Sequence, residues 1–355
     1  MKLFFIIPTL SHGGAERVIS ELANSLSEKG HKVSVILWIG GNQFYKLNDQ
    51  VELIDFNLQH HSKVNKIFSS FIVIYKLRQL YKKEHPDAVI SFLTRSNIIT
   101  ILSALFLDLK IYISERNNPY LWDNNSKFLL LLRDFTYKKA TGFIAQTKTA
   151  QEIAIKKFQI KSKVIANPIK SISLFKDIKK EKIILNIGRL HEQKGQQYLL
   201  EAFAKIKVDD WKIVILGDGS EKDNLKNLAN KLGIAEKVYM PGSVNNIDEW
   251  LAKSMIFAFP SIYEGFPNAL LEAMGAGLAC VSFDCNTGPR DLITDNKNGF
   301  LVPVHDVETL TNKLKELINN EKLRNKFSIR AKEVNNIYSV DNITKKLLDY
   351  TREEI

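Results

Sequence analysis

Three short stretches in the second half of the sequence carry residue types suited to holding a diphosphate and a ribose. The first, Gly188-Arg189-Leu190-His191-Glu192-Gln193-Lys194-Gly195, follows the apolar run 182–187. A glycine at the end of a strand lets backbone approach a ligand. Arg189 and Lys194 add two positive charges at the sheet edge where open α/β folds bind ligands. Two loop cations alone could equally be solvated side chains. The second stretch, Leu216-Gly217-Asp218-Gly219-Ser220, suits a tight turn opening a helix, and many strand-to-helix turns look similar. The third runs from Tyr263 to Glu272: a loop carries Glu264, and a helix begins near Asn268. Such a helix start offers unpaired N–H groups and a positive dipole end to phosphate oxygens. Glu272 lies one turn after Asn268 on the same helical face, so Glu264 and Glu272 are both expected at one cleft.

These loops need elements to position them, and the hydrophobic pattern supplies strands alternating with helices, the mark of parallel α/β architecture. Residues 2–7 read as a strand and Ser11-His12-Gly13-Gly14 as a turn. A helix follows at 15–29, stopped by Gly30, and then a strand at 31–37. Further strands are expected at 88–92, 111–114 and 142–145. A second series runs through 182–187, 212–216, 238–240, 256–259 and 279–283, with a helix at 341–352. Pro168 and the polar residues after it mark a linker. The expected organisation is a first domain at 1–166, a linker at 167–181 and a second domain at 182–338. A C-terminal helix at 339–355 packs back on the first domain.

A chain of 355 residues with 45% hydrophobic and 25% charged residues is long enough for two cores and ordinary in composition for a soluble globular protein. Its two cysteines, Cys280 and Cys285, match no zinc or disulfide framework and read as reduced thiols. The apolar opening Leu3-Phe4-Phe5-Ile6-Ile7 is too short for a signal h-region and runs into Pro8, and no stretch reaches the length of a membrane span. A cytoplasmic protein is expected. Charge is unevenly divided: residues 1–170 hold 24 Lys and Arg against 13 Asp and Glu, whereas residues 171–355 hold 26 of each. The whole excess of +11 lies in the first half, which points that half at an anionic partner.

The spacing from Glu264 to Glu272 resembles the E-x7-E motif of the retaining family 4 glycosyltransferases. Arg189 and Lys194 resemble that family's R…K pair, and Gly13-Gly14-Ala15-Glu16-Arg17 resembles its N-terminal Gly-rich loop. The resemblance spans nearly the whole chain and implies the GT-B fold, two Rossmann-like domains facing each other across a cleft. It also implies roles. Arg189 and Lys194 would bind the donor diphosphate and stabilise the leaving nucleotide, and Glu264 would contact the donor sugar. Glu272 would hold the ribose hydroxyls. Gly188 and the backbone N–H groups of Phe266, Asn268, Ala269 and Leu270 would line the donor site. Gly242 and Val244 would lie by the nucleobase, and Gly13 and Gly14 would let the first domain close on the phosphates. The two glutamates are not a glycosidase pair, because Glu272 is placed on the ribose. The implied enzyme is a metal-independent hexosyltransferase needing no cofactor beyond its nucleotide-sugar donor. No Asp-x-Asp follows a strand, and two cations take the charge-neutralising part.

The sequence departs from the family at Ile113-Ser114-Glu115-Arg116-Asn117-Asn118, where Arg116 stands in the place of an expected histidine. His12 could stand in for it. With Arg17 and Glu115, these residues are the candidates for the acceptor side. Two stretches, 63–83 and 127–139, interleave lysines with bulky apolar residues. Each could pack its apolar face on the sheet with its lysines solvated, or lie on an anionic bilayer. No nucleic-acid motif is present.

The function expected from the resemblance is transfer of GalNAc from UDP-GalNAc, or of a related unit, to a polyprenyl-diphosphate-linked saccharide of a bacterial surface glycan such as O-antigen or capsule. The enzyme would sit peripherally on the inner face of the plasma membrane. Rival readings are a transferase using GDP-mannose or another UDP-hexose, and a UDP-sugar epimerase of related fold. A non-catalytic lipid-binding module would leave the four charged residues of the second half unexplained. An NAD-binding protein is disfavoured because Gly13-Gly14 lacks the spaced third glycine of G-x-G-x-x-G.

Overall fold

A computed structural model of the chain describes residues 1–58, 66–123, 126–170 and 178–353. The start of the basic stretch, 63–65, and the centre of the expected linker, 171–177, lie outside the described residues. The chain divides into two compact units. One comprises Met1–Pro168 with Val340–Ile355, the other Ile169–Ser339. The division falls at Pro168, inside the stretch read as a linker.

The first unit has seven parallel strands: β1 (Lys2–Ile7), β2 (Lys32–Leu37), β3 (Val51–Asp55), β4 (Ala88–Phe92), β5 (Lys110–Ser114), β6 (Gly142–Ala145) and β7 (Ser162–Val164). They lie in the order β3-β2-β1-β4-β5-β6-β7. The second unit has β8 (Ile183–Ile187), β9 (Lys212–Leu216), β10 (Val238–Gly242), β11 (Ile256–Phe259), β12 (Ala279–Phe283) and β13 (Phe300–Val302), in the order β10-β9-β8-β11-β12-β13. Both follow the doubly wound Rossmann order, in which the chain reverses direction across the sheet between β1 and β4, and between β8 and β11.

The central strands are near-continuous buried apolar runs, as parallel strands covered on both faces require. Three strands were not anticipated: β3, β7 and β13. All three are edge strands, and β3 (VELID) and β7 (SKV) are partly exposed with mixed polar sequence. A strand paired on one side and half open to water carries no apolar run to read.

Helix α1 (Gly14–Glu28) buries Val18, Ile19, Leu22, Ala23 and Leu26, the stripe a 3.6-residue period places on one face. Gly30, at φ 80°, takes the left-handed conformation that ends it. Four more helices follow in the first unit: α2 (Lys66–Glu84), α3 (Thr94–Ala104), α4 (Lys127–Tyr137) and α5 (Lys148–Phe158). Their inner faces join a core that includes Phe4, Ile6, Leu77, Ile98, Phe143 and Phe158.

The C-terminal helix, Val340–Arg352, packs on α1, where Thr344 Oγ1 lies 3.2 Å from Ser25 Oγ. Tyr350 donates its hydroxyl to the Lys161 carbonyl at 2.9 Å, and its own carbonyl accepts from Tyr112 at 3.2 Å. A Cβ on Gly142 would meet the Tyr350 hydroxyl at 2.3 Å, so β6 needs a glycine to admit that ring. The second unit has its own core around Leu199, Phe203, Ile213, Phe283, Leu310 and Leu314.

Candidate active site

Strand β8 ends at Ile187, and Gly188 continues its ladder by donating to the Leu216 carbonyl at 3.0 Å. Gly217, after β9, stands at φ 135°, and a Cβ there would lie 2.1 Å from the Gly188 carbonyl oxygen. Only glycine lets these two strand ends meet. Beyond them the chain passes Arg189 and folds into a short 3-10 turn at Glu192–Lys194. His191 opens that turn, its Nδ1 accepting from Gln193 N at 3.2 Å. Gly195 closes it at φ 60°, so near β11 that a Cβ would lie 2.1 Å from the Pro260 carbonyl oxygen. Gln193 locks the same contact, accepting from Ile262 N and donating its side-chain amide to the Tyr263 carbonyl, both at 2.8 Å.

The loops after β8 and β11 are thereby tied together where the strand order reverses, the position at which open α/β sheets bind ligands. They enclose a cavity of about 400 Å³ whose walls include Gly188, Arg189, Lys194, Glu264, Phe266, Asn268 and Ala269.

Three kinds of charge meet there. Arg189 is exposed and makes no ion pair among the described residues. Lys194 donates to Glu264 Oε1 at 2.5 Å, and its Nζ lies 5.5 Å from the Phe259 ring centroid. The Glu264 side chain is only 7% exposed, so the pair holds both groups in place on the cavity wall. Helix α9 (Asn268–Gly275; α6, Gln196–Ala204, α7, Lys222–Lys231, and α8, Ile247–Lys253, precede it) begins at the cavity. Pro267 at its N-cap supplies no side-chain cap; Asn268 N donates to the Phe266 carbonyl at 3.0 Å, and the next N–H groups, of Ala269 and Leu270, face the helix start where a ligand could accept from them. Gly288, at φ 100°, lets the loop after β12 press against Pro267 and fixes this helix start; a Cβ there would lie 2.7 Å from Pro267 Cδ. Burial beside Glu264 pushes the Cys285 thiol up to about 12, so it stays protonated and inert.

Glu272 does not line this cavity. It is half-buried one turn into α9, about 6 Å along an axis that begins at the wall, so of the two glutamates Glu264 is the one on the wall of this cavity. The Leu270 side chain is fully buried beneath the helix start, leaving only its backbone to face a ligand. Gly242, at φ 89°, lies beside the β9 end, where its carbonyl accepts from Gly217 N at 2.9 Å. It and the half-buried Val244 stand outside the cavity walls. His191, Gln193 and Phe259 do line the cavity and were missed. Gln193 could have been suspected from its place between the two cations.

In the first unit, Gly13 is extended and Gly14 opens α1, again with no side-chain cap. Arg17 is engaged within the helix, bonding Glu21 at 3.3 Å. His12 is exposed, its ring tilted against Phe44 with centroids 4.3 Å apart, and has no carboxylate among its described partners. Glu115 is 3% exposed and fully committed, accepting from Tyr137 and, at 3.0 Å, from Thr94. Burial raises its carboxyl above the usual range. Both carboxylate oxygens of Glu115 are thus engaged within the first unit, by Thr94 of α3 and Tyr137 of α4. Arg116, its neighbour, is half-buried, its guanidinium carbon 3.5 Å from the Phe92 ring centroid and its Nη1 2.8 Å from Asn167 Oδ1.

Residues 12–171 match the family described as Glycosyltransferase Family 4, and residues 171–334 match Glycosyl transferases group 1. The chain is 32% identical, over 99% of its own length and of the relative's, to a Campylobacter jejuni enzyme. That relative is named GalNAc-alpha-(1->4)-GalNAc-alpha-(1->3)-diNAcBac-PP-undecaprenol alpha-1,4-N-acetyl-D-galactosaminyltransferase. A second C. jejuni relative, an N-acetylgalactosamine-N,N'-diacetylbacillosaminyl-diphospho-undecaprenol 4-alpha-N-acetylgalactosaminyltransferase, is 30% identical over 98% of this chain and 99% of its own. Among solved structures, Anabaena HepE in complex with UDP superposes with a TM-score of 0.82 at 19% identity, over 99% of both chains. TarM does so with a TM-score of 0.82 at 16% identity, over 99% of both. The two structures share the fold, and the two full-length relatives carry the kinship: this chain belongs to the family 4 glycosyltransferases of GT-B fold and is a hexosyltransferase.

Proposed function

We propose that the chain moves GalNAc from UDP-GalNAc, with retention of anomeric configuration, onto a polyprenyl-diphosphate-linked saccharide at the inner face of a bacterial plasma membrane. The observation that carries the donor half of this reading is the cavity at the β8/β11 reversal, where Arg189, the Lys194–Glu264 pair and the α9 N-terminus meet. Cleaving the bond from sugar to diphosphate puts negative charge on the departing UDP. Preorganised cations and N–H groups aimed at that charge are commonly the largest catalytic term. Arg189, with no ion-pair partner among the described residues, takes the diphosphate oxygens. Lys194, held by Glu264, stabilises the charge as it builds, and Glu264 keeps its second oxygen for sugar hydroxyls. Glu272 holds the ribose and Gly242 and Val244 the base, beyond the cavity rim. With two cations in this role the transfer is metal-independent.

The names of the two C. jejuni relatives support the sugar and the acceptor, and the surface of the first unit supports a membrane. Helix α4 buries Arg133, Thr136 and Tyr137, and Arg133 is paired with Asp123 and Asp134. The same helix leaves Phe128, Leu131 and Phe135 at 66%, 71% and 63% exposure. Spaced three and four apart, they share one face, flanked by Lys127, Lys138 and Lys139. On α2, Phe71 and Tyr75 are likewise exposed while Val73, Leu77 and Tyr81 are buried. An apolar stripe rimmed by lysines, on the half that carries all the excess charge, fits an anionic lipid interface. Among the described residues no helix is long and apolar enough to cross a membrane, so this contact is peripheral.

The test is incubation of the purified chain with UDP- and GDP-sugars and a polyprenyl-diphosphate saccharide. An extended product from UDP-GalNAc is expected. Extension from another sugar would replace the donor, and conversion of a nucleotide sugar without acceptor would replace the reaction class with an epimerase.

A further inference from the structure

The first unit holds a second cation that its own fold leaves without a counter-charge. Strand β5 ends at Ser114, and Glu115 and Arg116 follow it directly, with side chains that make different contacts. Glu115 turns to Thr94 and Tyr137 of α3 and α4. Arg116 turns the other way, and its guanidinium lies flat on Phe92 at the end of β4. Nη1 bonds Asn167 Oδ1 at 2.8 Å, and that same oxygen accepts from Gln146 Nε2 at 2.9 Å. Nε is sealed from water without a partner. No carboxylate pairs with this guanidinium among the described residues, and burial alone lowers it to about 9.

A desolvated cation is costly to keep without an anion, and stacking on an aromatic ring recovers only part of that cost. Its neighbours Phe92, Gln146 and Asn167 stand at or just past the ends of β4, β6 and β7, the edge of a parallel sheet where ligands are taken. Asn167, held by Gln146, fixes one end of the guanidinium fork and leaves the rest of it to bond something else.

We propose that Arg116 binds an anionic phosphoryl oxygen of a substrate diphosphate and serves as a charge-recognition element of the first unit. The assignment rests on the reading that both substrates carry diphosphates. It leaves open by design which of them supplies the oxygen.

The experiment is calorimetry on the full chain, titrated first with UDP and then, with UDP saturating, with inorganic pyrophosphate. Arg116→Ala is expected to weaken pyrophosphate binding by about tenfold or more if the oxygen is the acceptor's, or UDP binding by as much if it is the donor's, the loss of a charge-assisted hydrogen bond. UDP heats report the donor site separately, so failure of the donor reading and failure of this one are distinguishable.

Asn167→Asp guards against a variant that merely misfolds, because it gives the guanidinium an internal counter-charge. It should raise the thermal midpoint while weakening pyrophosphate binding. In steady state, a rise in KM confined to the lipid-linked acceptor assigns the oxygen to the acceptor, and a rise confined to the nucleotide sugar assigns it to the donor. Unchanged affinity for both pyrophosphate and UDP in Arg116→Ala and Asn167→Asp would overturn the proposal and leave Arg116 a structural residue.

Discussion

Lys194 and Glu264 act as one unit at the residue scale. The carboxylate is nearly buried and is paired with the Lys194 ammonium at 2.5 Å, so removing either group strands the other. Lys194→Ala should cut kcat by about a hundredfold, because leaving-group stabilisation is lost, and should also cost about 2–3 kcal/mol of stability. Glu264→Gln should cost less stability, since a neutral amide still accepts a bond, but should lower kcat by a similar factor. Single-turnover rates and urea midpoints of both variants and of the double mutant check this. A unit predicts strong non-additivity, and simple addition of the two effects would dissolve it. The two cations and Glu264 were legible in the sequence because a strand, a glycine and a charge occur in a fixed order. Their pairing was not, because Lys194 and Glu264 are 70 residues apart and contacts through Gln193 and Gly195 bring their loops together.

At the scale of elements, the alternation of apolar runs and amphipathic helices made both sheets legible, and the misses follow from burial. Edge strands β3, β7 and β13 pair on one side only, and carry no apolar run long enough to signal. Helix α4 inverts the usual pattern, hiding Arg133 and presenting Phe128, Leu131 and Phe135, which periodicity alone cannot reveal because it shows a stripe but not its direction. The directions of Glu115 and Arg116 were equally hidden: the first turns to Thr94 and Tyr137, the second to Phe92. The C-terminal helix completes the first unit through Tyr350, whose ring fits against Gly142 and Tyr112. Tyr350→Ala should lower the stability of that unit by about 3 kcal/mol, as a buried aromatic truncation does. Gly142→Ala should also destabilise it. Thermal melting of each checks the point, and an unchanged midpoint for Tyr350→Ala would mean that the helix is dispensable.

At the scale of the whole molecule, the division of charge is the feature that composition alone exposes, with the excess of +11 confined to residues 1–170. With the α4 stripe it predicts that the chain binds vesicles containing anionic lipid and is released by salt, as screening demands. Replacing Phe128, Leu131 and Phe135 together by Ser should weaken vesicle binding by about tenfold or more, given the apolar area withdrawn from the interface, and leave turnover of a short-chain soluble acceptor unchanged. Flotation assays on neutral and anionic vesicles decide it, and equal binding to both would remove the electrostatic part.

The central claim concerns the other half: Arg189 is held open for the donor's diphosphate. The most direct measurement compares the affinities of UDP and uridine for wild type and Arg189→Ala by calorimetry. A loss of about tenfold or more for UDP with uridine unchanged is the expected result, because only UDP carries the charge that Arg189 meets. Equal affinity of both proteins for UDP would contradict the account.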